Sequence, residues 1–401
     1  MLSAQNKAYL FIGMTLAMDC SRVSALEAED ILSFRTGPLS IKPQMALTEV
    51  YSDNIFYLPK NEVDDFITMV SPGLKLQLGK PEKNYLALGY TFDELLYVNN
   101  PSLDTSQHTI DLSDRLQAQR LTLTGSDRIQ ILSSPLGGVE RILSSRNIDR
   151  NSYNDNYTLS YDISERTAAY LRGTYSALDY NQGVDLYSSD TLTGTGGFAY
   201  RAFSKTSFFG EVYYGETTTS PNVPSLPKNP DVTFIGGYVG ARGNFTEKLS
   251  GLVKVGYESR EFSDGSSAPS QPVVDMSVTQ RFTDKTALSL TYSRQNSVSS
   301  QYTRETFNAD IIGLQLNQSL GPSRKWEASL GGSYYRYSYE LGGQSLGLNY
   351  DYIRGSFNLA YKVQLWLTAS LGYDFERLTG SPGGTTDYTV NRVNLRLAVG
   401  F

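Results

Sequence analysis

One cysteine, Cys20, one histidine, His108, and two tryptophans are all that 401 residues hold of these types. A single cysteine excludes an internal disulfide, and a lone histidine without thiolate neighbours excludes a structural zinc cluster. No metal or other cofactor is expected. Long apolar runs are also missing. After residue 25 no segment reaches the ~18 consecutive apolar residues of a transmembrane helix. Nor is there a basic block: 35 Lys and Arg against 41 Asp and Glu leave a formal charge of −6. That excludes a nucleic-acid partner held by phosphate neutralisation.

What is abundant is glycine (35) and tyrosine (29), with phenylalanine at 17. Small residues and amphipathic rings suit a thin β wall better than a thick aliphatic core. The pattern supports this. The stretch "MSVTQRFTDKTALSLTYSRQN" (276–296) has a polar centre, Thr283-Asp284-Lys285, between two runs with apolar residues at every second position. The same unit returns around Ser164-Glu165-Arg166, around Thr246-Glu247-Lys248 and, more loosely, around Ser204-Lys205. Alternation on both sides of a short polar break is a β-hairpin.

The alternation separates an oily face from a wet one. In 249–257, Leu249, Gly251, Val253, Val255 and Tyr257 oppose Ser250, Leu252, Lys254 and Gly256. In the last run, Val393, Leu395, Leu397, Val399 and Phe401 oppose Arg392, Asn394, Arg396, Ala398 and Gly400. Runs of ten or more such residues from about Ser40 onward are long enough to cross a bilayer when tilted. They exceed the ~5 to 6 residues usual in soluble sheets, and the four-strand repeat of a propeller is missing. Short breaks, including 321–325, interleave with longer ones at 219–231, 263–272 and 377–387. Short and long connections at opposite ends are the habit of outer-membrane barrels. The expected fold is therefore all-β: a closed antiparallel transmembrane barrel of about 18 strands over 40–401, with both termini periplasmic. Two details resist this reading. Asp114 and Asp127 fall on what should be the oily face between His108 and Leu132. The segment 134–148 carries Leu136, Val139, Ile142 and Leu143 at helical spacing, which predicts either a loop with a short helix or a plug.

The N-terminus has Lys7, an apolar run from Ala8 to Met18 and small residues through Ala25. This is the form of a secretory signal over 1–25, followed by a short lead, 26–39. The apolar run is too short to cross a ~30 Å hydrocarbon core as a helix. Export and barrel pattern together predict the outer membrane of a Gram-negative bacterium, with outer-membrane lipid as one partner.

Two stretches carry a family resemblance. "VNLRLAVGF" (393–401) resembles the closing strand that the barrel assembly machinery reads in outer-membrane proteins, with Phe401 as the assembly signal. "LTEVYSDNIFYLPKNEVDDFITMVSPGLKLQLG" (47–79) resembles the opening of the β-barrel porins found in exopolysaccharide operons, through Asp53-Asn54-Ile55-Phe56, Asp65-Phe66-Ile67 and the phrase "VSPGL". The resemblance implies a porin-like barrel, a channel or accessory component in capsule or exopolysaccharide secretion. Its partners would be polysaccharide-export proteins, and its cargo a polysaccharide or small hydrophilic solutes. It implies no catalytic residue.

Enzymatic chemistry has weak support in the residues themselves. Gly343-Gln344-Ser345-Leu346-Gly347 fits the spacing of a nucleophile elbow, but an alternating run follows where a helix is required. His108 could serve a hydrolase as base only with a nucleophile within about 3 Å, which Ser106, two residues away, does not supply. The alternatives to a channel are thus a barrel hydrolase using His108 and a structural or adhesive surface barrel. The informative constellation is the wet face. Lys75, Arg172, Arg242, Lys254, Arg281, Arg354, Arg392 and Arg396 alternate with oily residues, as do Asp162, Glu211, Glu258, Asp275, Glu327, Asp374 and Glu376. Facing a lumen, such charges either select solutes or bridge one another across the wall.

Overall fold

The alternating runs become strands, and the strands close into a ring. The computed structural model of the protein describes residues 33–80, 83–139, 145–181, 183–265, 267–301, 305–341, 344–380 and 386–400. A short strand, β1 (Phe34–Thr36), precedes β2 (Leu39–Ser52), β3 (Asp65–Gly79), β4 (Tyr85–Tyr97), β5 (Thr105–Ala118), β6 (Leu121–Ser134) and β7 (Ile148–Asp162). Then follow β8 (Thr167–Tyr180), β9 (Tyr187–Phe203), β10 (Thr206–Pro221), β11 (Val232–Asn244), β12 (Leu249–Phe262) and β13 (Ser267–Thr283). The wall is completed by β14 (Thr286–Val298), β15 (Glu305–Leu320), β16 (Trp326–Leu341), β17 (Gln344–Gln364), β18 (Leu367–Thr379) and β19 (Tyr388–Val399).

Each strand from β2 to β19 pairs antiparallel with the next, and β19 returns to β2 from Arg392↔Ser52 to Val399↔Met45. The result is a closed barrel of 18 strands. Closure matters because an open sheet edge in lipid leaves backbone groups unpaired at several kcal/mol each. β1 lies along Leu39–Ile41, where β2 runs past the end of β19, and covers that edge. The shortest wall strand, β19, has 12 residues, enough to span a bilayer at the usual tilt of about 45°. Among the described residues no helix is long and apolar enough to cross a membrane, and one helical turn, Pro101–Leu103, lies in a connection.

Connections at one end are short: 80–84, 119–120, 163–166, 204–205, 245–248, 284–285, 321–325 and 365–366. The other end carries 53–64, 98–104, 135–147, 181–186, 222–231, 299–304 and 380–387, together with two short connections, 263–266 and 342–343. The expected asymmetry is present, with one correction. Residues 267–272, read as part of a long loop, are strand: β13 begins at Ser267 and pairs with β12 up to Glu261↔Ser267. The ladder to β12 shifts register between Glu258 and Arg260 there, and the prolines of "APSQPV" fall where β13 no longer pairs with β14.

The wall explains the tyrosine and glycine content. Tyr170 faces Gly197, Tyr213 faces Gly236, Phe234 faces Gly215 and Tyr157 faces Gly125 across adjacent strands. A Cβ on any of these glycines would collide with the ring opposite. Rings lie flat over glycine backbone, so a single layer of chain still packs.

Outward faces carry exposed apolar side chains, such as Val255 and Tyr257 on β12, between inward Lys254 and Glu258. Asp114 and Asp127 do point outward, and not through slipped register: β5, β6 and β7 pair without a break from Ala118↔Leu121 and Leu121↔Tyr161 onward. Asp155, opposite Asp127, joins them, and Tyr157 Oη donates to Asp127 at 2.6 Å. The segment 135–139 is irregular chain, not helix; residues 140–144, residues 1–32 with the expected signal, and Phe401 lie outside the described residues.

Candidate functional site

Among the described residues, inward side chains gather into two large charged clusters, apart from isolated pairs such as Arg128 with Asp111 at 2.6 Å. The first spans β8 to β13. Glu211 on β10 is buried among cations: Tyr170 Oη donates to it at 2.8 Å, Lys254 Nζ stands at 3.3 Å and Arg172 Nη2 at 3.6 Å. Lys254 also reaches Asp275 at 3.5 Å and sits 4.2 Å above the Tyr238 ring. Arg242 covers the rings of Tyr170 and Phe209. One turn of the pleat toward the long-loop end, Glu258 accepts from Tyr213 Oη at 2.9 Å and from Arg260 Nε at 2.7 Å. A carboxylate buried this far from water is stable only with such partners, so each acid is fixed by at least one cation and one phenol.

The second cluster lies on β17 to β19. Glu376 accepts from Arg392 Nη1 at 2.7 Å and Tyr352 Oη at 2.6 Å, with Arg354 Nη2 at 3.5 Å. Asn394 donates to Asp374 at 3.1 Å. Arg392 Nη2 donates to Tyr57 Oη at 2.9 Å, and its guanidinium stacks 5.3 Å from the Tyr57 ring. Tyr57 belongs to the connection 53–64, so that loop turns inward.

Its anchor is the phrase that carried the family resemblance. Asn54 is fully buried; its Nδ2 donates to Leu58 O at 2.8 Å and to Thr389 O at 3.1 Å, while its Oδ1 accepts from Leu58 N. Asp53 accepts from Asn391 N and Nδ2 at 2.7 and 2.6 Å. Together with the backbone bond from Asp53 N to Asn391 O at 3.2 Å, they sew the top of β2 to the top of β19 above the last ladder pair. Ile55 and Phe56 pack with Tyr97 and Leu103.

The mouth at the long-loop end is narrowed further. Leu136 packs on Ile148, Tyr180 and Leu186, whereas Val139 packs on the opposite wall, against a cluster built on Tyr339, Leu378, Tyr388 and Val390. Gly138 N donates to Tyr388 Oη at 2.8 Å. Three residues bridge the two clusters, a reach of at most about 10 Å. Residues 135–139 thus form a strap of irregular chain at this mouth. The β13–β14 ladder also stops at Val274↔Arg294, and Arg260 Nη2 bonds Asn296 O at 2.6 Å beyond it. The connection after β14 crosses to β9, where Tyr187 N donates to Ser300 O at 2.7 Å.

Of the residues singled out in the sequence, Arg172, Arg242, Lys254, Glu258, Glu211 and Asp275 meet in the first cluster, and Arg354, Arg392, Asp374 and Glu376 in the second. Lys75 stands apart, opposite Lys42 and Gly89, and Arg396 lies opposite Thr48 and Ser370. Arg281 is near the short-turn end opposite Ala287, and Glu327 pairs with Lys362 at 2.6 Å. Asp162 ends β7, opposite Ala168. Tyr57, Tyr352 and the phenols of the first cluster escaped sequence reasoning, because tyrosine occurs on both faces. Arg260 was findable: it continues the same every-second-residue series as Lys254 and Glu258.

His108 is on the outer face. Tyr90 Oη and its Nδ1 are 2.9 Å apart, and its ring packs 5.4 Å from Phe92. That is the position of an interfacial aromatic belt, not of a base facing a substrate. Gln344 opens strand β17, so no strand-to-helix elbow exists at Ser345. Among the described residues no group of His, Cys, Asp and Glu could hold a metal ion.

The family described as "Putative beta-barrel porin 2" matches residues 32–401. No curated protein is matched. Among solved structures, the chain is similar to OccAB3 of Acinetobacter baumannii, with a TM-score of 0.45 and 12% identity, covering 90% of this chain and 99% of that one. It is similar to the outer membrane protein opdK of Pseudomonas aeruginosa, with a TM-score of 0.46 and 10% identity over 90% and 99%. The FrpB iron transporter of Neisseria meningitidis gives a TM-score of 0.48 and 10% identity over 94% and 83%.

Proposed function

The chain belongs to the family described as Putative beta-barrel porin 2, and from that premise we propose that it is an outer-membrane channel for small hydrophilic solutes, without chemistry of its own. The observation that carries this reading is the inner wall, where paired charges and phenols line a closed ring whose outer face is mostly apolar. Lumenal charges of both signs keep water and ions in the interior and tune which solutes pass. The inward Tyr57 and the strap at 135–139 set the narrowest level. Folded protein in planar bilayers should give discrete current steps. A folded barrel that gives none would leave the structural or adhesive alternative standing.

The finer reading is service to capsule or exopolysaccharide secretion beside polysaccharide-export proteins. The opening residues 47–79 support it, and a wall rich in hydroxyl and guanidinium groups is compatible with it. Deletion of the gene should then reduce surface polysaccharide; unaltered polysaccharide in the deletion strain would remove that role and leave the channel. Assembly is assigned to the barrel assembly machinery, reading the last strand through Phe401.

A further inference from the structure

We propose that the lumen wall beside Arg354 holds a binding subsite for one ring of a neutral saccharide. This rests on the channel reading and adds a ligand class to it. A recess of about 340 Å³ opens into the inner face of β14–β18, at the lower end of ligand-sized pockets, which run from ~300 Å³.

Two rows of directly opposed residues make it. In one, Arg354 faces Ser333, Ser333 faces Gly313, and Gly313 faces Thr291. In the next, Asp374 faces Ser356, Ser356 faces Gly331, and Gly331 faces Gln315. The glycines create the depth. A Cβ on Gly331 would come within 2.5 Å of Gln315 Oε1 and 2.7 Å of Ser356 Oγ, so these polar ends already lie across the glycine backbone. The floor is consequently hydroxyl and amide, groups that both donate and accept.

The rim decides the charge of the ligand. Arg392 is the closer cation to Glu376, at 2.7 Å against 3.5 Å for Arg354. Arg354, with its side chain 53% exposed, keeps most of its donor fork turned to the lumen. Asp374 stands beside it as the open acceptor, while Glu376 is buried against Arg392 and Tyr352. Two cations and two carboxylates cancel, so a free anion meets Asp374 and a free cation meets Arg354. A vicinal diol satisfies both, one hydroxyl donating to the carboxylate and its neighbour accepting from the guanidinium. In the next row toward the mouth, Tyr335 faces Tyr352, their ring centroids 5.4 Å apart. Tyr352 is buried, so the partly exposed Tyr335 ring offers the apolar edge for the C–H face of a sugar.

The test uses the full folded chain in a detergent without sugar headgroups, titrated calorimetrically with maltohexaose, hexagalacturonate and a polyethylene glycol of equal length. Binding of maltohexaose in the millimolar range is expected, with the glycol inert and the uronate weaker. Asp374→Asn and Gly331→Val should each weaken maltohexaose by about tenfold or more, the loss of one hydrogen bond to a charged group or of the floor. Heat-modifiable migration checks that each variant folds; should Gly331→Val fail to fold, Asp374→Asn carries the test alone. No binding to folded wild type, equal affinity in folded variants, or tighter binding of the uronate would overturn the proposal. Planar-bilayer currents separate it from the channel reading: conduction without saccharide binding removes the subsite alone, and saccharide binding without conduction removes the channel alone.

Discussion

Replacing Asn54 by alanine tests whether the inward loop is held as its hydrogen bonds imply. Asn54 is fully buried and makes three hydrogen bonds, two as donor to Leu58 O and Thr389 O and one as acceptor from Leu58 N. Each contributes about 1 kcal/mol, and a buried partner left unsatisfied raises the loss to roughly 1–3 kcal/mol. Water can enter at the mouth and satisfy some of these groups, so about 3 kcal/mol in total is expected. The loss falls just above the last ladder pair, where β2 and β19 are joined by the Asp53 N to Asn391 O bond at 3.2 Å and by side chains. Asn391 is still held by Asp53 at 2.7 and 2.6 Å, so the ring should remain closed while the 53–64 connection loosens. Tyr57 then leaves Arg392, and the lumen widens. Urea unfolding from liposomes should show the midpoint fall with unchanged slope, and single-channel conductance should rise. Asn54→Asp should be worse, since it keeps the acceptor for Leu58 N but sets a negative charge against two carbonyls. A stability change under about 0.5 kcal/mol, the level of an ordinary surface substitution, would refute the anchoring role, and unchanged conductance would show that Tyr57 does not narrow the pore.

Four further outcomes follow from the same structure. Val253→Arg, placed on the outer face between Ala241 and Met276, should lower urea stability in liposomes by about 2–4 kcal/mol; no change would mean that this face does not meet lipid. Glu211→Gln removes the carboxylate shared by Lys254 and Arg172, so reversal potentials in a salt gradient should move toward anion selectivity, and an unmoved potential would place the first cluster off the ion path. Asp114→Leu with Asp127→Leu should raise stability by about 1 kcal/mol if lipid covers them; a fall instead would indicate that this face is covered by something polar. Deletion of Phe401 should lower the amount of heat-modifiable barrel in the outer membrane far more than Ser266→Asp does, and equal levels would remove the assembly signal.

Strand number and the alternation of the two faces were legible because period-2 alternation reports directly which side of a strand is apolar. Register errors flip every side chain, so a stretch with acids on its oily side looks like bad register. In β5 and β6 it is not: the ladder is continuous, and Asp114 and Asp127 simply face out. Pattern alone cannot separate these cases, because the discriminating fact is the pairing partner. The length of 263–272 was misjudged for a related reason. Proline argues against a central strand but is tolerated on an edge, and β13 acquires a free edge only because β14 leaves it above Val274.

The inner mouth was illegible for a different cause. Tyr57 reaches Arg392 across 335 positions and Gly138 reaches Tyr388 across 250, in connections with no periodicity to read. Yet the sequence did carry a trace of it. Asp53-Asn54-Ile55-Phe56 stood out as the mark of a family, and each member has a physical task at one place: Asp53 and Asn54 bond β19, while Ile55 and Phe56 pack under Tyr97. A loop that must turn into a lumen needs its backbone groups satisfied away from water. Short polar residues followed by two apolar ones do this, the first pair replacing ladder bonds and the second burying against the wall. The motif is therefore best understood as the device that ends a strand inward, and the width of the channel follows from where it aims Tyr57.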